Sequence, residues 1–127
     1  MRAQRIITVL LVLSLALWVL LDSWGAAQSA PPVDAFGRGE WFFMKSEHES
    51  AVYAYRTALK EGLEEPRAKE ALFKIARSLH EGGRYVEAID AYQKFIRKYP
   101  QTDEANRAQG FMEWIQQNQD IDPEKPV

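Results

Sequence analysis

Cysteine is absent from the 127 residues. That excludes disulfides, thiolate-ligated metals and lipid attachment through a cysteine. Histidine is almost as scarce, with only His48 and His80. The two lie beside different turns with no third ligand at metal-site spacing, so they read as solvated turn residues and not as a metal or acid–base pair. No glycine-rich phosphate loop or nucleophile motif occurs. Glu47, Glu49, Glu64 and Glu65 read as solvated or helix-capping carboxylates. A strong charge of either sign is missing too. The formal net charge is −2, and setting aside Arg2, Arg5 and Asp22 leaves 14 basic and 17 acidic residues, or −3. Without a basic field, a nucleic-acid partner is not expected. Neither a cofactor nor a small-molecule substrate is expected, and the chain does not read as an enzyme.

Long apolar runs are also rare, with one exception. Arg2 and Arg5 precede a stretch from Ile6 to Leu21 interrupted only by Thr8 and Ser14, with Trp24 just beyond. No helical period gives this stretch a polar face, so it does not suit the core of a soluble domain. Extended to Trp24, it approaches the ~20 residues that cross a bilayer. The small residues Gly25-Ala26-Ala27 would equally suit cleavage of a secretory signal. Either way the N-terminal arginines stay in the cytoplasm and the remainder is exported. Retention is the favoured reading. Residues 1–25 then form a transmembrane anchor, with residues 6–24 in the membrane.

Residues 26–37 are small, proline-containing and glycine-terminated, as in a linker. Helical periodicity follows. Ser46-x-x-Glu49 has the form of a capping box. After it, Ala51, Val52, Tyr55, Ala58 and Leu59 share a face that ends near Gly62. Pro66 suits a first helical position. Leu72, Ile75, Ala76 and Leu79 follow at i, i+3, i+4 and i+7, up to Gly82-Gly83. A further helix carries Tyr85, Ala88, Ile89, Tyr92, Phe95, Ile96 and Tyr99 and stops at Pro100. Thr102 or Asp103 would cap a last one, with Ala105, Ala108, Met112 and Ile115 inward. The tail 120–127, with two prolines and four charges, is expected to be disordered.

From Leu72 to Pro100 this pattern resembles the tetratricopeptide-repeat (TPR) family. Leu72, Ile75-Ala76 and Leu79 stand in the slots of that family's first helix; Ala88, Tyr92 and Pro100 stand in those of its second. Ala51, Tyr55 and Ala58 precede Ala88, Tyr92 and Phe95 by 37 residues, against a family period of roughly 34. The surplus falls in Gly62-Leu63-Glu64-Glu65. Gly39 and Phe42 fit the first unit's opening helix, expected to run from about Gly39 to Lys45, although Arg38 takes an apolar slot. In a third unit only Gly110 meets the pattern, as suits a capping end. Lys98-Tyr99-Pro100-Gln101-Thr102 is similar to bacterial envelope members of the family that carry an N-terminal anchor or signal.

The resemblance implies an all-α fold: antiparallel helix pairs, about two and a half repeats over residues 38–119, after an N-terminal transmembrane or signal helix. In such arrays first helices line a concave surface. Phe43, Phe73, Arg77, His80, Arg107, Phe111 and Trp114 are therefore expected to form an aromatic and basic trough for a peptide with an acidic feature. Phe73, Phe111 and Trp114 would equally complete the core between repeats, because core stripes often exceed 100° of helix face. The implied protein is a single-pass adaptor of the bacterial inner membrane with its repeats in the periplasm. It would serve as an accessory subunit that holds a protein partner within a larger membrane complex. The alternative is a cleaved, soluble periplasmic binding module or chaperone.

Overall fold

The computed structural model describes residues 1, 2, 4, 6, 7, 13, 14, 30–119 and 121. The chain divides into two units, Met1–Pro31 and Pro32–Val127. In the first, Arg2, Gln4, Ile6, Ile7, Leu13 and Ser14 are helical, and the apolar Ile6, Ile7 and Leu13 are exposed. Most of the apolar run and all of Gly25-Ala26-Ala27 lie outside the described residues. Among the described residues no helix is long and apolar enough to cross a membrane.

The second unit consists of five helices: α1 Ala35–Met44, α2 His48–Lys60, α3 Arg67–Glu81, α4 Tyr85–Lys98 and α5 Asp103–Asn118. Short turns join α1 to α2 and α3 to α4, which makes each pair an antiparallel hairpin. Each helix packs on the next, and α1 also reaches α3. Helix α3 therefore has neighbours on several sides. It buries Ala68, Ala71, Phe73, Ile75, Ala76, Ser78 and Leu79, more than one stripe of its surface. Leu72 is half-buried and packs against the core, while Phe73 beside it, expected either in the core or in the trough, is inside.

Helix α1 starts four residues before the expected Gly39. Asp34, in extended conformation, caps it by accepting a 2.7 Å hydrogen bond from the Gly37 amide through Oδ1. The end of the expected linker is thus helical, and Ala35 is buried. Thr102 caps α5 through its Oγ1, 3.2 Å from the Ala105 amide. Pro66 stands one residue outside α3 instead of at its first position. Pro100 is exposed, so it ends α4 without packing in the core. Ile121, expected in a disordered tail, is half-buried against the core; the other tail residues lie outside the described set.

The capping box at Ser46 does not form. Ser46 has φ 58°, in the left-handed region, and belongs to the end of α1. Its amide donates to the Phe43 carbonyl and the Glu47 amide to that of Phe42, as the Gly83 and Arg84 amides donate to those of His80 and Leu79. These are the reverse bonds that close a helix C-terminus. Ser46 and Gly83 are repeat equivalents, both at positive φ. Serine at this position bears a steric cost that glycine avoids. Ser46→Gly should therefore raise the unfolding free energy by about 1 kcal/mol, measured by denaturant titration.

Gly39 is buried because its helix lies directly on Tyr55: a Cβ there would sit 2.5 Å from the ring. Gly110 occupies the corresponding family slot on α5 but faces open space, with nothing within 4 Å of a Cβ. Among the described residues no helix follows α5 to cover it. Opposite outcomes follow for the same substitution. Gly39→Ala should cost ~1–3 kcal/mol through overpacking, whereas Gly110→Ala should gain about 0.5–1 kcal/mol from helix propensity. Thermal melts of both variants check this pair.

Candidate functional site on the face of α1, α3 and α5

Helical spacing puts Phe73, Arg77 and His80 on one side of α3, and Arg107, Phe111 and Trp114 on one side of α5. Phe43 projects from the end of α1. The fold brings all seven together. The Arg77 guanidinium lies 6.0 Å from the Phe43 ring and 5.1 Å from that of Phe111. Arg107 covers the Phe73 ring at 5.0 Å. His80 lies 5.6 Å from Phe111 and 5.4 Å from Trp114, ring to ring. Two openings result. One, of about 390 Å³, lies between Phe43, Phe73, Lys74, Arg77 and Arg107. The other, of about 460 Å³, is bounded by His80, Arg107, Gly110, Phe111 and Trp114. Arg107 borders both.

The seven side chains do not share one environment. Phe73 is 7% exposed and stacks at a tilt on Phe95 at 5.3 Å, so it is chiefly a core residue that floors the first opening. Phe111 is half-buried and stacks on Tyr92 at 5.7 Å, which ties α5 to α4. Trp114 remains 47% exposed and offers the most free aromatic surface of the set.

Charge corrects the expectation of a basic trough. Lys74 bonds both oxygens of Glu40, at 2.7 and 2.5 Å, and lies 2.9 Å from Glu70. Burial pulls the Lys74 ammonium down, but its bonds to Glu40 and Glu70 outweigh this and hold it above the ordinary lysine range. Arg77 pairs with Glu81, and Lys69 lies 3.2 Å from Glu104. Glu40 also accepts the Tyr55 hydroxyl at 2.5 Å. Burial, reinforced by that bond, raises the Tyr55 phenol far above its usual pKa. The i, i+4 pairs Glu70–Lys74 and Arg77–Glu81 were visible as spacing in the sequence. The Glu40–Lys74 and Lys69–Glu104 contacts were not, because they join different helices. Arg107 alone among these cations has no ion pair among the described residues.

Neither histidine is a solvated turn residue. His48 keeps its Nδ1 buried, 3.9 Å from Glu81. His80 is half-buried among Tyr85, Tyr92, Phe111 and Trp114. Its Nδ1 is 3.4 Å from the Tyr92 hydroxyl. Among the described residues no group of histidines and carboxylates could hold a metal ion.

Two stacked helix hairpins plus a further helix, with side chains from the first helices gathered along one face, define a helical solenoid built for contact with other proteins. The tetratricopeptide-repeat model matches residues 36–103, which include both hairpins and end where α5 begins. The chain belongs to the tetratricopeptide-repeat family. No curated protein and no solved structure matches it.

Burial lowers the His80 pKa; Glu81 opposes this and Arg77 adds to it. The unfolded chain then binds the proton more readily than the folded one, so stability rises with pH. His80 contributes in full above about pH 6.5, and its contribution is lost as pH falls through that value toward the lower folded pKa. The melting temperature of the full chain in neutral detergent should drop between pH 7.5 and 5.5, and should drop less in His80→Phe. An equal drop in both would place the effect elsewhere.

Proposed function

We propose that this chain is a membrane-anchored TPR adaptor, an accessory subunit that holds a protein partner within a bacterial inner-membrane or envelope complex. The convergence of Phe43, Arg77, Arg107, Phe111 and Trp114 on one face carries this reading. Aromatics and arginine supply most binding energy at protein interfaces, and here two openings leave them within reach. Phe73 and His80 act mainly by supporting that face from beneath.

Anchoring rests on Arg2 and Arg5 ahead of the Ile6–Leu21 run. The helical, exposed apolar residues Ile6, Ile7 and Leu13 favour contact with lipid. The basic flank would keep the N-terminus cytoplasmic and export the repeats. Cleavage after Ala27 would instead release a periplasmic binding module, a reading favoured by the small residues Gly25-Ala26-Ala27.

In bacterial cells that produce the full chain, carbonate-washed membranes should retain it. Protease added to spheroplasts should digest the repeats, and purification in mild detergent should bring a fixed set of subunits. A soluble mature form starting at Gln28 would sink the anchor. Purification without any associated subunit would sink the adaptor role.

A further inference from the structure

The trough's charges are satisfied unevenly. Lys69, Lys74 and Arg77 each have a carboxylate within this fold. Arg107 has none in ion-pair range among the described residues, because Glu104, one turn earlier on α5, is engaged by Lys69. The Arg107 guanidinium carbon lies over the Phe73 ring, 5.0 Å from its centroid, and the residue is exposed. That contact holds the side chain in place and leaves its donors toward solvent unused. An arginine fixed in this way loses little freedom when it meets a planar carboxylate, and its fork of donors matches both oxygens.

Immediately beside it is the opening of about 460 Å³ between His80, Phe111 and Trp114. Its walls are aromatic. Gly110 leaves the gap on the α5 side, with nothing within 4 Å of where a Cβ would sit. Trp114, at 47% exposure, is a large apolar surface left uncovered next to the unpaired cation.

We propose that Arg107 and this notch together receive one segment of a partner protein in which an aspartate or glutamate stands next to a large apolar residue. The carboxylate lands on Arg107 and the apolar side chain enters between His80, Phe111 and Trp114. The acidic group is specified by Arg107 itself, the trough cation without a carboxylate in ion-pair range among the described residues. The inference rests on the reading of this face as an interface, and it fixes the chemistry of what binds there.

A library of random decapeptides displayed on phage, panned against the full chain in neutral detergent, tests it. Enriched peptides should carry Leu, Phe, Tyr or Trp within two positions of Asp or Glu. Synthetic versions should bind at least tenfold more weakly to Arg107→Glu and to Trp114→Ala. Arg107→Gln, which removes the charge and keeps the length, should show a smaller loss. Lys94→Glu, on α4 and paired with Asp90, should change affinity less than twofold. Affinity should fall as salt rises. Position 107 is exposed, so circular dichroism melts of its variants should match the parent. Enrichment of basic peptides, no enrichment at all, or equal binding by Arg107→Glu would overturn the site. So would self-association of the chain that Arg107→Glu abolishes, because the occupant would then be a second copy. Each of these results leaves the adaptor reading standing if associated subunits still copurify from membranes.

Discussion

The close approach of α1 to Tyr55 at Gly39 is the contact on which the first hairpin depends. A methyl group would stand 2.5 Å from the ring, so the helices meet at this distance only because the side chain is missing. With the backbone so near, the Tyr55 hydroxyl reaches Glu40, and Glu40 reaches Lys74 on α3. One small residue therefore sets the spacing within a repeat and positions the carboxylate that links it to the next. The second hairpin uses a milder version, with Ala76 and Tyr92 at the equivalent positions and both fully buried. Interiors are close-packed, so a small residue facing a large ring defines register more firmly than two medium ones would.

Helix α3 gains its importance from this arrangement. It packs on α1, α2 and α4, and the aromatic residues it sends toward α4 and α5 bind the array together. Phe73 belongs to the core and borders the trough at once: its ring meets Phe95 and Tyr92, and Arg107 lies over it. Packing in the core and lining of an opening thus fall on a single ring, which is why neither description of Phe73 suffices alone. Solvent-accessible ion pairs such as Lys69–Glu104, half-buried on both sides, contribute little stability by themselves. The effect of this pair is selective, since Lys69 engages Glu104, the carboxylate one turn before Arg107.

Periodicity carried much of the fold. The buried faces of α2, α4 and α5 stand where the spacing of Ala51, Tyr55, Ala88, Tyr92, Ala105 and Ile115 put them. The departures share a physical origin. Ser46 matched a local capping motif, but the chain must reverse there, and the turn's demand for positive φ overrode the cap. Leu72 matched a helical stripe and packs there half-buried, but a helix enclosed on several sides buries more than one stripe, so Phe73 is inside as well. The gathering of the trough residues was legible because i, i+4, i+7 spacing survives folding. Its charge balance was not, because Glu40 meets Lys74 and Glu104 meets Lys69 only once hairpins stack.

The contrast between Gly39 and Gly110 explains how one repeat design yields both a closed core and an open surface. In the first unit a second helix covers the glycine, and the gap becomes a contact with Tyr55. On α5 no described helix follows, so the same small residue leaves an opening beside Phe111 and Trp114. Aromatics that would complete an interior in the middle of an array are instead left partly uncovered. Covering apolar surface of this kind is favourable whatever group supplies the cover. The half-unit at the end of the described array therefore has an opening beside Gly110 with Arg107 at its edge, and that pairing of uncovered aromatic surface with a cation is what the proposed acidic, apolar segment would complement.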